Sequence, residues 1–224
     1  MRKLATLVFV FAVFAALGAA QGPRGGGFGP QTPYTLVTRK DVGKELKLTD
    51  EQTTKLQAAQ ADMRQQGMQA FQDSGGDFEA AMKTITKLND GFATMVKGTL
   101  TAEQFTRLLQ TFIQRAGTMS VTDSDVQKLL KLTDDQVKHI KDLQDKQNAA
   151  NRSLGEKMRN GELDRSEIGP LMQKNTEALK TAIEKVLTDD NKTALKAAAG
   201  EAFTFDPAEP FGGFGGRPPG GGGN

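Results

Sequence analysis

One histidine, no cysteine and 27 carboxylates are the groups this chain offers for chemistry. His139 lies between Val137 and Ile140 but is flanked by Lys138 and Lys141, which reads as a boundary or surface position. A hydrolytic triad needs a nucleophile, a base and an orienting group that converge, and no signature of that kind is present. The pairs Asp134-Asp135 and Asp189-Asp190 resemble acid/base couples, yet each follows a threonine in a helix-start phrase. There the helix dipole accounts for them. Asp73-Ser74-Gly75-Gly76-Asp77 lacks the regular oxygen ligands and the closing glutamate of a calcium loop. Met63, Met68, Met82, Met95, Met119, Met158 and Met172 offer soft thioethers, at spacings that suit helix packing or an adaptable contact face better than a metal site. Without cysteine there is no disulfide, thiolate metal site or thiol nucleophile. The chain reads as a non-enzyme with no catalytic residues, no cofactor and no bound metal.

The clearest pattern is a short phrase that occurs four times: Leu48-Thr49-Asp50-Glu51-Gln52, Leu100-Thr101-Ala102-Glu103-Gln104, Leu132-Thr133-Asp134-Asp135-Gln136 and Leu187-Thr188-Asp189-Asp190-Asn191. Each predicts a helix start. The threonine serves as N-cap and the amide three residues on reaches back to the cap's own N–H, which closes a capping box. The preceding leucine is placed for a hydrophobic staple, completed by Phe105 or Val137 but not by Thr53 or Lys192. The last phrase, with Asn191 in place of glutamine, is the weakest of the four.

These helix starts belong to a duplicated body. Residues 37–52 read VTRKDVGKELKLTDEQ and residues 121–136 read VTDSDVQKLLKLTDDQ, identical at eleven of sixteen positions at a lag of 84. The phrases at Leu100 and Leu187 are 87 apart, so the second module carries a small insertion. We therefore expect an all-α protein of two tandem modules, 36–119 and 120–203. Each has a short leading helix, from about Arg39 to Lys47 with Thr38 as cap in the first, and three longer helices. Leu56, Met63, Ala70 and Phe71 mark the long helix after Thr49, which breaks at Asp73–Gly76. Phe78, Met82, Ile85, Leu88, Phe92 and Met95 follow at helical spacing, and Phe105, Leu108, Leu109, Phe112 and Ile113 stripe the last helix. In the second module the matching positions include Val137, Ile140, Leu143, Leu154 and Met158, a break at Asn160-Gly161, then Ile168 to Val186. Pro170 falls near the start of that helix, where proline is tolerated. The stripes are narrow, so the long helices are expected to pair as thin, elongated hairpins.

Both ends differ from the body. Residues 1–20 have a positive start (Arg2, Lys3), an apolar run and a small-residue cleavage site before Gln21, the pattern of an export signal. Without Arg2 and Lys3, 27 basic residues balance 27 acidic ones. Such a chain has no excess charge for nucleic acid, and the short apolar run predicts no lasting membrane insertion. Residues 21–35 and 204–224 are rich in glycine and proline and predict disordered tails, punctuated by Phe28, Phe211 and Phe214.

An export signal, a helical body and paired Leu-Thr-x-x-Gln phrases resemble the Spy/CpxP-like family of periplasmic stress proteins. The resemblance spans Val37 to about Phe203, with one phrase pair in each module. It implies a cradle of long helices that holds unfolding proteins without ATP, in the periplasm or outside the cell. It also implies alternatives, restraint of an envelope sensor protein or sensing of a divalent metal, and a regulatory or structural protein that recognises one specific partner through a helical face is the competing class. The family's cradle is basic and its metal-sensing members use histidines, whereas this mature chain is neutral with His139 alone. Client binding is therefore favoured, with Met63, Met68, Phe71, Phe78 and Met158 as candidate contacts. In the family two protomers form the cradle, so this tandem chain is expected to be a fused monomer or else a homodimer.

Overall fold

The computed structural model describes residues 32–75 and 77–209. Residues 1–20, expected to be an export signal, lie outside the described residues, as do Phe28, Phe211, Phe214, Gly76 and the side chain of Phe78. Among the described residues there are nine α-helices and no strand, so the fold is all-α.

The first repeat comprises α1 (Pro33–Leu36), α2 (Lys40–Glu45), α3 (Asp50–Asp73), α4 (Phe78–Thr99) and α5 (Ala102–Ala116). A 3-10 segment (Gly117–Thr122) leads into α6 (Ser124–Leu129), α7 (Asp134–Arg159), α8 (Arg165–Val186) and α9 (Asp189–Ala198). The 3-10 segment starts 84 residues after α1, α6 starts 84 after α2, and α8 spans the α4 range shifted by 87. The insertion lies between, at a hairpin tip. Helix α7 has 26 residues against 24 in α3, and the turn that follows has five residues (160–164) against four (74–77).

Helices α3 and α4 form one antiparallel arm and α7 and α8 the other, each about 35 Å long at 1.5 Å per residue. The arms spring from one base. A single apolar cluster joins Tyr34, Val37, Val42, Leu56, Val96, Leu108 and Phe112 of the first repeat to Val121, Val126, Ile140, Ile183 and Leu195 of the second. The α5 stripe supplies Leu108, Leu109, Phe112 and Ile113, all buried, which makes α5 the central helix. Across the seam between repeats, Asp125 receives hydrogen bonds from the Tyr34 hydroxyl and from Lys97 Nζ (2.9 Å).

Three expectations need correction. Residues 33–35 are not part of a disordered linker but belong to α1. Pro33 sits at the first turn, where its fixed φ suits a helix start, and Pro33, Tyr34 and Leu36 are buried. The N-cap of α2 is Arg39, with no side-chain cap, not Thr38. Pro170 lies inside α8, beyond the first turn, where it removes one backbone bond from an exposed stretch.

The second tail is corrected as well, over its first residues. Gly200, with φ of 65°, ends α9 and turns the chain back across the first repeat. There residues 199–209 form a strap. Gln114 Nε2 donates to the carbonyls of Ala199 (2.6 Å) and Glu201 (2.7 Å), while its Oε1 accepts from the Phe203 N–H (2.8 Å). Arg107 donates to the Glu201 carbonyl at 2.7 Å. Arg39 donates to the carbonyls of Asp206 (3.0 Å) and Glu209 (2.8 Å), and Asp41 accepts from the Asp206 N–H (2.8 Å). Phe203 and Phe205 pack edge to face at 4.8 Å and rest against the core.

Candidate functional site: phrase clamps and exposed apolar positions

All four helix-start phrases form capping boxes, the Asn191 one included. Thr49, Thr101, Thr133 and Thr188 each accept from the N–H three residues on. In return the side-chain oxygens of Gln52, Gln104, Gln136 and Asn191 accept from the cap N–H groups. Leu48 and Leu132 are half-buried and Leu100 and Leu187 buried, all in the shared base.

The glutamines do more than cap. Gln52 Nε2 donates to Gln104 Oε1 at 2.9 Å and to the Thr99 carbonyl at 2.9 Å. Gln104 Nε2 donates back to Gln52 Oε1 (3.1 Å) and to the Leu46 carbonyl (3.2 Å). This reciprocal pair of amides ties the start of α3 to the α4–α5 corner and closes the root of the arm. In the second repeat Gln136 Nε2 donates to Asn191 Oδ1 (2.7 Å) and to the Val186 carbonyl (3.1 Å). Asn191 is one methylene shorter, and no return donation is present among the described residues. The fourth phrase is weak in its clamp, not in its cap.

Each long-arm phrase also follows a turn that residue types do not announce. Lys47 (φ 51°) and Lys131 (φ 52°) are left-handed, and the next N–H, of Leu48 or Leu132, reaches back to the carbonyl of Gly43 or Gln127 at 3.0 Å. That is a Schellman turn with lysine where glycine is usual. The only sequence signal for it is the repetition of Leu-Lys-Leu-Thr at residues 46–49 and 130–133.

The five candidate contact residues divide. Met63 is only 8% exposed and belongs to the core, so it is no surface contact. Met68 (59% exposed) and Phe71 (42%) lie one turn apart on the outer part of α3, and Met158 (38%) lies near the tip of α7. Phe78 opens α4 next to the first tip, its side chain outside the described residues. Sequence reasoning missed Leu129, which is 45% exposed at the end of α6, where the first repeat has Glu45.

His139 is exposed on α7 and borders an open groove of about 880 Å³ between α7 and α8. Leu143, Ala178, Ala182 and Val186 give the groove its apolar wall, and Asp135, Lys174, Glu177 and Lys185 carry its charges. Among its lining residues, Ala182 stands where the first arm has Met95, a longer side chain packed against the core.

Two carboxylates at equivalent repeat positions are tuned alike. Burial pushes the Asp41 carboxyl up, but the Arg39 guanidinium and the N–H groups of Asp206 and Val42 outweigh it and hold Asp41 below its usual value. Burial also opposes charge on Asp125, and Lys97 and Tyr34 hold it low. Burial, followed by the bond to Asp125, pushes the Tyr34 hydroxyl well above its ordinary range. Asp123 caps α6 and is raised by burial. No group of three or more His, Asp or Glu side chains that could hold a metal ion is found among the described residues. No helix among them is long and apolar enough to cross a membrane.

Compared with known proteins, the chain matches no family model, no curated protein and no solved structure.

Proposed function

We propose that this chain is an exported, ATP-independent holdase of the cell envelope, similar to Spy/CpxP-like proteins, that keeps unfolding proteins from aggregating on its helical arms. The observation that carries this reading is the pair Met68 and Phe71, exposed one turn apart on the outer part of α3. Large apolar side chains on a protruding helix expose contact area without a core to satisfy, and a flexible thioether beside an aromatic ring adapts to varied partners. The phrase clamps hold the arm that presents them. One apolar core spans both repeats, which favours the fused reading in which one chain takes the place of a dimer.

The test is aggregation of two unrelated unfolding proteins, without ATP, at near-equal molar ratio to the mature chain. Protection of both is expected, with at least half of it lost in the double variant Met68→Ser, Phe71→Ser. A folded, helical sample that protects neither overturns the reading. Light scattering is expected to report a monomer; a clear dimer counts against fusion as a substitute for dimerisation.

A second reading, recognition of one specific partner, is favoured by the groove between α7 and α8. Its apolar wall and mixed charges suit one amphipathic helix of a regulatory or structural partner. Saturable one-to-one binding to a single envelope protein, with no protection of unrelated clients, supports that reading.

A further inference from the structure

The strap lies in a bed whose chemistry is that of a peptide site. Seven hydrogen bonds join Gln114, Arg107, Arg39 and Asp41 to strap main chain. A carboxamide that donates to two carbonyls and accepts an N–H in between reads an extended backbone, not a particular sequence. The residues that do depend on side chain are few. Phe203 and Phe205, one residue apart, turn to the core side while Thr204 between them is exposed. This is the alternation of an extended chain. Arg39 also lies 5.5 Å from the Phe205 ring centre.

The bed is built, and built only once. Arg39 is 4% exposed, and its Nε and Nη2 form two bonds to Asp41 at 2.9 and 2.6 Å. Arg107 is held by Glu45. In the second repeat, Asp123, Leu129 and Ala194 stand at the positions of Arg39, Glu45 and Arg107. Gln114 lies on the part of α5 that extends beyond the α9 equivalent, since α5 has 15 residues and α9 has 10. The repeats differ where the first one meets the strap.

We propose that this bed is a binding site for extended peptide segments of another protein that present two aromatic residues one apart, and that the chain's own strap is its resident competitor. The strap is joined to the site by Gly200, so it competes at an effective concentration near millimolar and exchanges by opening at that pivot. The proposal stands apart from the holdase reading: it concerns α2 and α5 at the base, not the arms.

The probe is a labelled peptide with the sequence of residues 200–209, followed by fluorescence anisotropy. The protein is the full mature chain, as wild type and as the strap-loosened variant Phe203→Ala, Phe205→Ala. We expect saturable binding to the variant and binding at least about 100-fold weaker to wild type, because of the tethered competitor. Gln114→Ala in the loosened background should weaken binding roughly tenfold or more by removing three bonds. A peptide with both phenylalanines changed to serine should not bind. If the double variant does not fold by circular dichroism, the single variant Phe203→Ala replaces it, since it removes one ring of the strap and leaves Gln114, Arg107, Arg39 and Asp41 unchanged. No binding to a folded, loosened chain overturns the proposal, as does binding indifferent to Gln114→Ala. Dimers of wild type formed by strap exchange would overturn it in favour of a second copy of this chain as the partner.

Discussion

The two arms share length, topology and roots, yet their seams are unlike. In the first arm Met63, Gly67, Ala81, Ile85, Phe92 and Val96 are buried along the whole α3–α4 contact. In the second, the buried residues Ile140, Leu179 and Ile183 all lie in the root half. Beyond them the seam turns polar: Gln147 stands where Met63 stands, and Asn151 and Asn175 where Gly67 and Leu88 stand. Asn175 Nδ2 donates to Asn151 Oδ1 at 2.8 Å, and Gln147 donates to Thr176 at 3.3 Å. The outer seam of the first arm is closed by buried apolar side chains. That of the second combines half-buried Leu154, Ile168, Leu171 and Met172 with side-chain hydrogen bonds, which contribute less net free energy because water competes for them. The two arms match in backbone and differ in how their outer seams close.

The sharpest way to break this contrast is to truncate matched positions. Met63→Ala should cost about 2–4 kcal/mol by chemical denaturation, as for other buried methionines. Gln147→Ala should cost under about 1 kcal/mol. Equal losses would refute the difference between seams. Next come the clamps. Gln104→Ala removes a cap bond and both halves of a reciprocal amide pair and should cost about 2–3 kcal/mol, against about 1 kcal/mol for Asn191→Ala. Asn191→Gln should recover part of that gap if the return bond can form.

Acid tests a feature common to both repeats. Asp41 and Asp125 are held below the unfolded carboxylate value, so their stabilisation is complete above about pH 4. It fades as pH falls through their folded values. Denaturation midpoints at pH 7 and pH 3 should show this loss, and Asp41→Asn should leave a shallower profile, in which Asp125 still loses stabilisation in acid while the raised Asp123 works in the opposite direction.

Smaller effects sharpen the comparison. Replacing Asn151 and Asn175 together, by Ala and Leu, should be neutral or stabilising by up to about 1 kcal/mol. It should also slow amide exchange in the outer halves of α7 and α8, which in the unaltered chain should exchange faster than the outer halves of α3 and α4. Lys47→Gly and Lys131→Gly should each add about 0.5–1 kcal/mol by relieving a left-handed lysine, equally in the two repeats.

How much of this was legible beforehand depends on range in the sequence. Helix starts at Thr49, Thr101, Thr133 and Thr188 were readable because capping is settled within four residues. The repeat was readable because identity at lag 84 is arithmetic. What links distant segments was not. Nothing in Gln52 or Gln104 alone says that one amide can serve its own cap and its partner's side chain together. The strap was hidden for a related reason: Thr204 to Glu209 leads into a glycine- and proline-rich stretch and reads with it as a disordered tail, and only Gln114, Arg107 and Arg39, far upstream, make it a docked segment. Met63 was misjudged as a contact because methionine at helical spacing serves core and surface alike, and the neighbour that decides is on α4.

The strap has one more consequence. The Glu209 carboxylate accepts from the backbone N–H of Lys40 at 3.4 Å and its carbonyl is held by Arg39, seven residues after the first described residue, Thr32. The body thus bites its own tail, and its topology is nearly that of a ring. A linker spanning at most ~25 Å would close residue 209 to residue 32. New ends could then be opened at Asn160-Gly161, the exposed tip of the second arm, to give a circular permutant that keeps every clamp and the strap intact.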